Sequence, residues 1–510
     1  MNLLRAAVTV GGFTALSRIF GLIREILLSH ILGASFTSDV FVIAFKFPNF
    51  FRRFFAEGAF NAAFVPQFAE CVARSNEQKS KDLAQKVFSC MAWFLLVFVI
   101  IVEIATPLLM PVLAPGFSAI PERLDLAVKF TRITFPYIFF ISLSALLGGV
   151  LNSLNHFAMA AAAPILLNLT MICGLLFYPV FKIDAGFTLC WSVFLAGIIQ
   201  FSWLYWACKK LKFKLQLTLP RLDSDVVKIF KLMIPGAIGA GIMQINIIVD
   251  MMLASFLSVG SLSYLYYADR LSHLPLSIFG VAIGTALLPS LSQYWRQGNA
   301  HQAHRSQNIA LDFALQLTIP SAIGLIVLSI PLIDLIFGHG SFQDKDVMAT
   351  APALAAFAFG LPAYVAGKVF TTTYFAHQDT KTPVKIGAVC IAVNLLLNLI
   401  FLPYFKHVGM ALATSLAAWA NTLILGIVLK RRELFQFPIA LVYKSLKIVL
   451  ISLIMGIFLN YIQTLSVFYP LTGEVNLIRL LILVAGGGIL YLGLGYPVGI
   501  RPFRYIKLSN

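Results

Sequence analysis

Residues 17–66 read SRIFGLIREILLSHILGASFTSDVFVIAFKFPNFFRRFFAEGAFNAAFVP. The stretch is apolar enough to lie in a bilayer, yet it carries Arg18, Arg24, Glu25, Asp39, Lys46, Arg52, Arg53 and Glu57. A charge near the centre of a membrane helix costs about 2.5–3.5 kcal/mol on insertion scales, and such residues usually face a cavity or a partner. At about 100° per residue, Ser17, Arg18, Gly21, Arg24 and Glu25 share an arc of roughly 120°, with Thr14 inside it. Leu16, Ile19, Phe20, Ile23, Ile26 and Leu27 point elsewhere, so one face of the first span is polar and cationic. In the next span Asp39 and Lys46, seven apart, share a stripe, and Pro48 is expected to break the hydrogen-bond ladder before Arg52 and Arg53. Two readings stand open. Either these side chains line a cavity, or they snorkel at helix ends and pair locally, Arg53 with Glu57 for example.

The rest of the chain supports a membrane setting. Of 510 residues, 59% are hydrophobic and only 12% charged, with a mean hydropathy of +0.88. A soluble domain carries about 25% charged residues. The first apolar run is interrupted by Gly11-Gly12 and Arg18 and is followed by no small-residue cleavage site, which argues against a signal peptide. Six scattered cysteines without metal-type spacing read as small apolar fillers. Windows of about twenty apolar residues predict an all-α polytopic protein with about fourteen spans.

The connections predict orientation. One alternating set of connections, with both termini, holds about 24 basic residues against about 6 in the other, which places both ends in the cytoplasm. The same bias accounts for the net charge of +17. Anionic membrane lipids suffice as its partner, and nucleic acid is not required. An internal repeat follows from NAAFVPQFAE (61–70) beside GTALLPSLSQ (284–293), with an echo of 155–169 in 377–398. Six spans per repeat imply parallel halves. The expected division is an N-terminal lobe over 1–215, a C-terminal lobe over 216–430 that starts with an amphipathic linker, and a helix pair over 431–510.

Several groups bear on function. Asp269 and Arg270 open the eighth span, either as a mutual surface pair or as cavity residues facing the Arg18/Arg24 stripe. Asn246 and Asp250, and likewise Asn394 and Asn398, lie four apart on a helix face. With Thr414 they suit either interhelical hydrogen bonding or a small cation such as Na⁺. The sequence holds no HExxH, P-loop or GxSxG motif, and no acidic pair on a loop suited to a metal-bound diphosphate, so an enzyme is not expected. Arginines inside the membrane suit carriage of an anion, because Arg binds phosphate oxygens bidentately.

SRIFGLIRE (17–25), KFPNFFRRFFAEGAFNAAFVP (46–66), YYADRL (266–271) and GTALLPSLS (284–292) closely resemble the MurJ family, bacterial lipid II flippases of the MOP exporter superfamily. The resemblance covers essentially the whole chain. It implies an inner-membrane protein of peptidoglycan synthesis that moves lipid II, undecaprenyl-diphosphate-linked GlcNAc–MurNAc-pentapeptide, outward by alternating access. It implies further that Ser17, Arg18, Arg24, Asp39, Arg52 and Arg270 match positions lining the family's central cavity. Glu25 stands where some members have Asp. A sodium site of some members maps onto Asp250, Asn394, Asn398 and Thr414, where Asn398 replaces a carboxylate. The substrate-binding expectation therefore comprises Ser17, Arg18, Arg24, Glu25, Asp39, Arg52, Arg53, Glu57 and Arg270. No cofactor is expected beyond Na⁺ or H⁺ as a coupling ion, and cell-wall synthesis proteins are candidate partners. The rivals are an O-antigen or drug exporter of the same superfamily, which should lack the AEGAF run, and a non-transporting scaffold for cell-wall enzymes. About five intramembrane arginines, some 12–18 kcal/mol before pairing, stand against the scaffold.

Overall fold

A computed structural model describes residues 3–52, 59–74, 77–221, 223–465 and 476–501. Seventeen α-helices and no strand occur among the described residues, and the chain divides by packing into Met1–Gly260 and Ser261–Asn510.

The first unit contains α1 (Leu3–Leu32), α2 (Phe36–Arg52), α3 (Ala59–Ala73), α4 (Glu77–Leu113), α5 (Pro121–Thr134), α6 (Tyr137–Ser153), α7 (Phe157–Phe181), α8 (Ala185–Lys210) and α9 (Ser224–Ala254). A 3₁₀ turn, Pro115–Ala119, precedes α5. Phe60, Phe64 and Phe68 recur every four residues on α3 and stack at 5.1 and 5.3 Å between ring centroids. They pack in one core with Leu143, Leu147 and Val150 of α6 and with Val226 and Ile229 of α9. By packing, α9 thus rests on α3 and α4 of the first unit.

Pro48 does not end its helix. α2 runs on to Arg52 because the Ala44 carbonyl, left without the N–H that proline lacks, accepts the Thr134 hydroxyl at 2.8 Å. The Asn49 amide donates to the next carbonyl, of Phe45, at 2.8 Å.

After a turn at Leu211 and Lys212, residues 213–221 of the connection form neither helix nor strand. Phe213 and Leu215 are buried while Lys212 and Lys214 alternate outward. The segment is fastened to α4: Gln216 N–H donates to Gln85 (2.8 Å), Thr218 N–H to Ser89 (3.2 Å), and the Trp93 indole to the Thr218 carbonyl (3.0 Å). At its end Asp223 accepts the Val226 N–H at 3.0 Å as N-cap of α9. Lys86 and that N–H hold the Asp223 carboxyl below its usual range.

The second unit contains α10 (Ser261–Arg296), α11 (Ala300–Val327), α12 (Ser329–Phe337), α13 (Asp344–Phe359), α14 (Leu361–Ala376), α15 (Lys381–Arg431), α16 (Ile439–Gln463) and α17 (Asn476–Gly495). α10 packs on α11, α13 and α14, and α11 packs on α16. α13 and α14 form one broken span. A Cβ on Gly360 would lie 2.7 Å from the Ser415 hydroxyl, so glycine permits that approach. α5 and α6 break likewise at Phe135-Pro136. Corresponding spans are therefore interrupted in both units, at nearly the repeat spacing.

α15 is two helices that abut at Lys406, whose φ of 50° and ψ of −130° are not helical. Gly409 lets the second arm close on the first, since its Cβ would sit 2.8 Å from the Phe401 carbonyl. Across the two ends of α15, Asp379 accepts from Thr382 N–H (2.9 Å), the Thr382 hydroxyl (2.6 Å) and Arg432 (2.8 Å). Partial burial raises the Asp379 carboxyl, but these donors prevail and hold it at about 2.

Nine helical stretches among the described residues are long and apolar enough to cross a membrane, with Lys381–Arg431 as one of them. At 1.5 Å per residue its 51 residues would reach about 77 Å, more than twice a bilayer core, without the break at Lys406. The expectation of fourteen spans requires in addition that α1, α2–α3, α9 and α10 cross. The all-helical polytopic class agrees with the sequence reading.

Candidate functional site: the cationic face of α1

The face of α1 read from the sequence is built against α7. Gly21 leaves room for Asn168, whose amide nitrogen would be 3.7 Å from a Cβ there. The Asn168 amide donates to the Ser17 carbonyl at 2.9 Å, and its oxygen accepts the Arg24 guanidinium at 3.0 Å. Arg24 also pairs with Glu25 and stands 5.8 Å from the centroid of the Phe45 ring on α2. Both charged side chains are buried, at 8% and 3% exposure. Arg24 is thus oriented from three sides.

Arg18 differs. Its side chain is exposed and meets no ionic or hydrogen-bonding partner among the described residues. Its neighbours Leu16 and Ile19 are exposed hydrophobics. In a helix whose surroundings are lipid, an unpaired guanidinium at this depth requires a water-lined space or an anion. Ser17, half-buried, lies beside it through the Asn168 bond.

Asp39 takes another role. It is fully buried, and its carboxylate accepts Arg123 at 2.8 Å and the Gly260 N–H at 2.7 Å. Arg123 is 3% exposed, with its guanidinium 3.9 Å from the centroid of the Phe117 ring. In the fold it begins α5 and neutralises a buried carboxylate 84 positions away. A charge as deep as Asp39 must be paired.

Arg52 is half-buried at the end of α2, whereas Arg53 and Glu57 lie outside the described residues. Arg270 is exposed on α10 with its guanidinium 4.9 Å from the centroid of the Tyr266 ring, and Asp269 engages His273 at 3.1 Å.

The cation set divides between the units. Asp250 accepts the Asn246 amide at 3.0 Å in the first. In the second, Asn398 donates to Asn394 (2.9 Å), Asn394 to Thr414 (3.4 Å), and Thr414 to the Met410 carbonyl (2.9 Å). Three neutral groups stand in series and carry no charge to draw Na⁺ from water. No cluster of three or more His, Cys, Asp or Glu suited to a metal occurs among the described residues.

Asn168 was visible in the sequence only as one letter of the internal repeat. Nothing marked it as the clamp between Ser17 and Arg24, because its partners lie 151 and 144 positions away.

Comparison with known proteins bears on the chain as a whole. The profile of a family described as "Lipid II flippase MurJ" matches residues 28–478. A protein of Rhizobium tropici named "Probable lipid II flippase MurJ" is 38% identical over 496 residues, covering 95% of this chain and 92% of its own. The "Lipid II flippase MurJ" of Burkholderia cenocepacia is 36% identical over 441 residues, covering 86% and 85%. A solved lipid II flippase MurJ in an inward closed conformation superposes with a TM-score of 0.82 at 30% identity, over 98% of this chain and 99% of that one. An inward-facing multidrug MATE transporter of the MOP superfamily gives 0.67 at 14% identity, over 84% and 98%, and shares the fold.

Proposed function

The chain belongs to the lipid II flippase MurJ family, and on that premise we propose that it moves lipid II from the cytoplasmic to the periplasmic leaflet by alternating access. It works in the inner membrane with both termini cytoplasmic and with its basic connections against anionic headgroups. It transports and makes or breaks no covalent bond.

The observation that carries this reading is Arg18, exposed and without a partner among the described residues, beside a clamped Arg24 on one polar face of α1. Asn168, Glu25 and Phe45 fix Arg24, so little side-chain entropy remains to be lost when a diphosphate arrives. Arg18 supplies a second planar fork for phosphate oxygens. Arg270 is assigned the same task, and the polyprenyl tail is assigned to the lipid-facing surfaces of α16 and α17. At neutral pH the diphosphate carries roughly two negative charges, and an inside-negative potential favours their outward passage by about 2.3 kcal/mol per charge per 100 mV. After release the emptied site is cationic, and the same field draws it back to the cytoplasmic side. Membrane potential, rather than a sodium gradient, therefore drives both half-cycles.

The deciding measurement is translocation of labelled lipid II by purified protein in liposomes. Transport by the native chain and none by Arg18→Ala at equal protein is the expected result. Equal rates would remove α1 from the path.

A further inference from the structure

Away from α1, the second unit holds a cavity of about 400 Å³ lined by the first turns of α11, the connection after α15 and the start of α16. Its polar lining includes His301, His304, Arg305, Asn308, Asp312 and Lys444. Asp312 is the acid of that lining, and its carboxylate takes the Lys444 ammonium at 2.6 Å, which leaves the pair neutral. Arg305 is exposed and meets no acid or other polar partner among the described residues, so the remaining fixed charge is positive. Asn308 has a buried amide oxygen without a hydrogen-bond partner. An amide's oxygen and nitrogen exchange by a flip, so the same group can offer its NH₂ to an anion. α16 begins at this cavity on Pro438 with no side-chain cap; the Leu441 N–H turns back to the Pro438 carbonyl at 2.9 Å, which leaves the Ile439 and Ala440 N–H groups to face a negative ligand.

What borders the cavity separates a lipid from a free anion. Ile439, Val442, Leu446 and Leu450 are 71%, 49%, 61% and 59% exposed, and their spacing makes one apolar strip up α16 from the cavity mouth. Cationic lining at one end of a bare apolar strip matches a molecule with an anionic head and hydrocarbon chains.

We propose that this cavity binds the phosphodiester headgroup of an anionic membrane phospholipid. Arg305, His301 and Asn308 hold the phosphate, while the acyl chains lie along α16. A lipid seated there touches α11 and α16 together and so clips the C-terminal helix pair to the unit. This inference does not depend on which substrate the protein carries.

The test uses the full chain in phosphatidylcholine nanodiscs titrated with phosphatidylglycerol, read by melting temperature and by lipid retained in native mass spectrometry. Phosphatidylglycerol should raise the Tm. Arg305→Ala should weaken the apparent affinity roughly fivefold, the worth of one basic contact at an anionic surface. Asn308→Ala should weaken it as well, while Arg305→Lys stays near the native value. An unchanged Tm in pure phosphatidylcholine shows that each variant is folded. Equal phosphatidylglycerol retention by Arg305→Ala and the native protein would overturn the proposal. So would inorganic phosphate at millimolar concentration stabilising the protein as much as the lipid does, which would make this a free-anion site.

Discussion

Two arginines of the first unit begin from the same disadvantage and end differently. Arg123 is buried against Asp39, which also accepts the Gly260 N–H, and its guanidinium lies on the Phe117 ring. Arg24 is also buried and paired, with Glu25, but its helix carries Arg18 six positions earlier, exposed and without a partner among the described residues. In the first arrangement every charge has its complement inside the fold, so it can hold helices and has nothing left to offer a ligand. In the second, one cation is held ready and another lacks its anion. The difference between the two places is Arg18, which stands exposed beside the paired Arg24 and meets no counter-charge among the described residues.

The comparison breaks most sharply at the open pair. Arg18→Ala, Arg24→Ala and Arg270→Ala should each reduce lipid II flipping to background and fail to support growth at normal protein levels. Arg→Lys should recover part of the rate, because a point charge keeps attraction but loses the two-bond fork. Full flipping by the alanine variants would erase the distinction drawn above.

The closed pair should fail in another currency. Arg123→Ala leaves the Asp39 carboxylate buried with its main partner gone, at a cost of about 3–5 kcal/mol in stability. Asp39→Leu with Arg123→Met should restore most of it, since removing both charges also removes the desolvation cost. Thermal unfolding in detergent measures both. An Arg123→Ala protein that melts normally yet cannot flip lipid II would move this pair into the transport machinery.

A gentler contrast lies between the cationic face and the neutral Asn394–Asn398–Thr414 chain. Valinomycin with K⁺, which collapses the potential, should stop transport, whereas replacing Na⁺ by choline should change the rate by less than about twofold, since the asparagine chain has no charge to hold the ion. The reverse result would make the Asp250 set the motor.

The smallest effect concerns the Asp379 staple, half-exposed and outside the spans. Its folded pKa of about 2 lies below the usual carboxylate value of about 3.9. Its stabilisation is therefore complete above pH 4 and is lost as pH falls towards 2. Arg432→Ala should remove part of that acid-range dependence and leave the neutral-pH Tm within about 1 °C, as exposed pairs contribute little. A large drop at pH 7 would show the staple to be more than that.

Much of the molecule was legible in local sequence, because in a bilayer each helix must satisfy its own backbone and hydrophobicity alone marks it. The all-helical class, the polar arc of Ser17, Arg18 and Arg24, and the four-residue spacing of Asn394 and Asn398 all follow from periodicity, which is a property of one helix. How the helix survives the broken ladder at Pro48 was illegible for the complementary reason. The hydroxyl that keeps α2 intact comes from Thr134, 90 positions away.

Chain order and composition thus determined by themselves which segments are helical and which of their faces are charged. Tertiary structure alone decided which charges are neutralised. Asp39 finds Arg123, Arg24 is steadied by Asn168 beside its sequence neighbour Glu25, and Arg18 finds no partner among the described residues. A charge's complement acts over a few ångströms of space, and a fold brings that complement from anywhere in the chain.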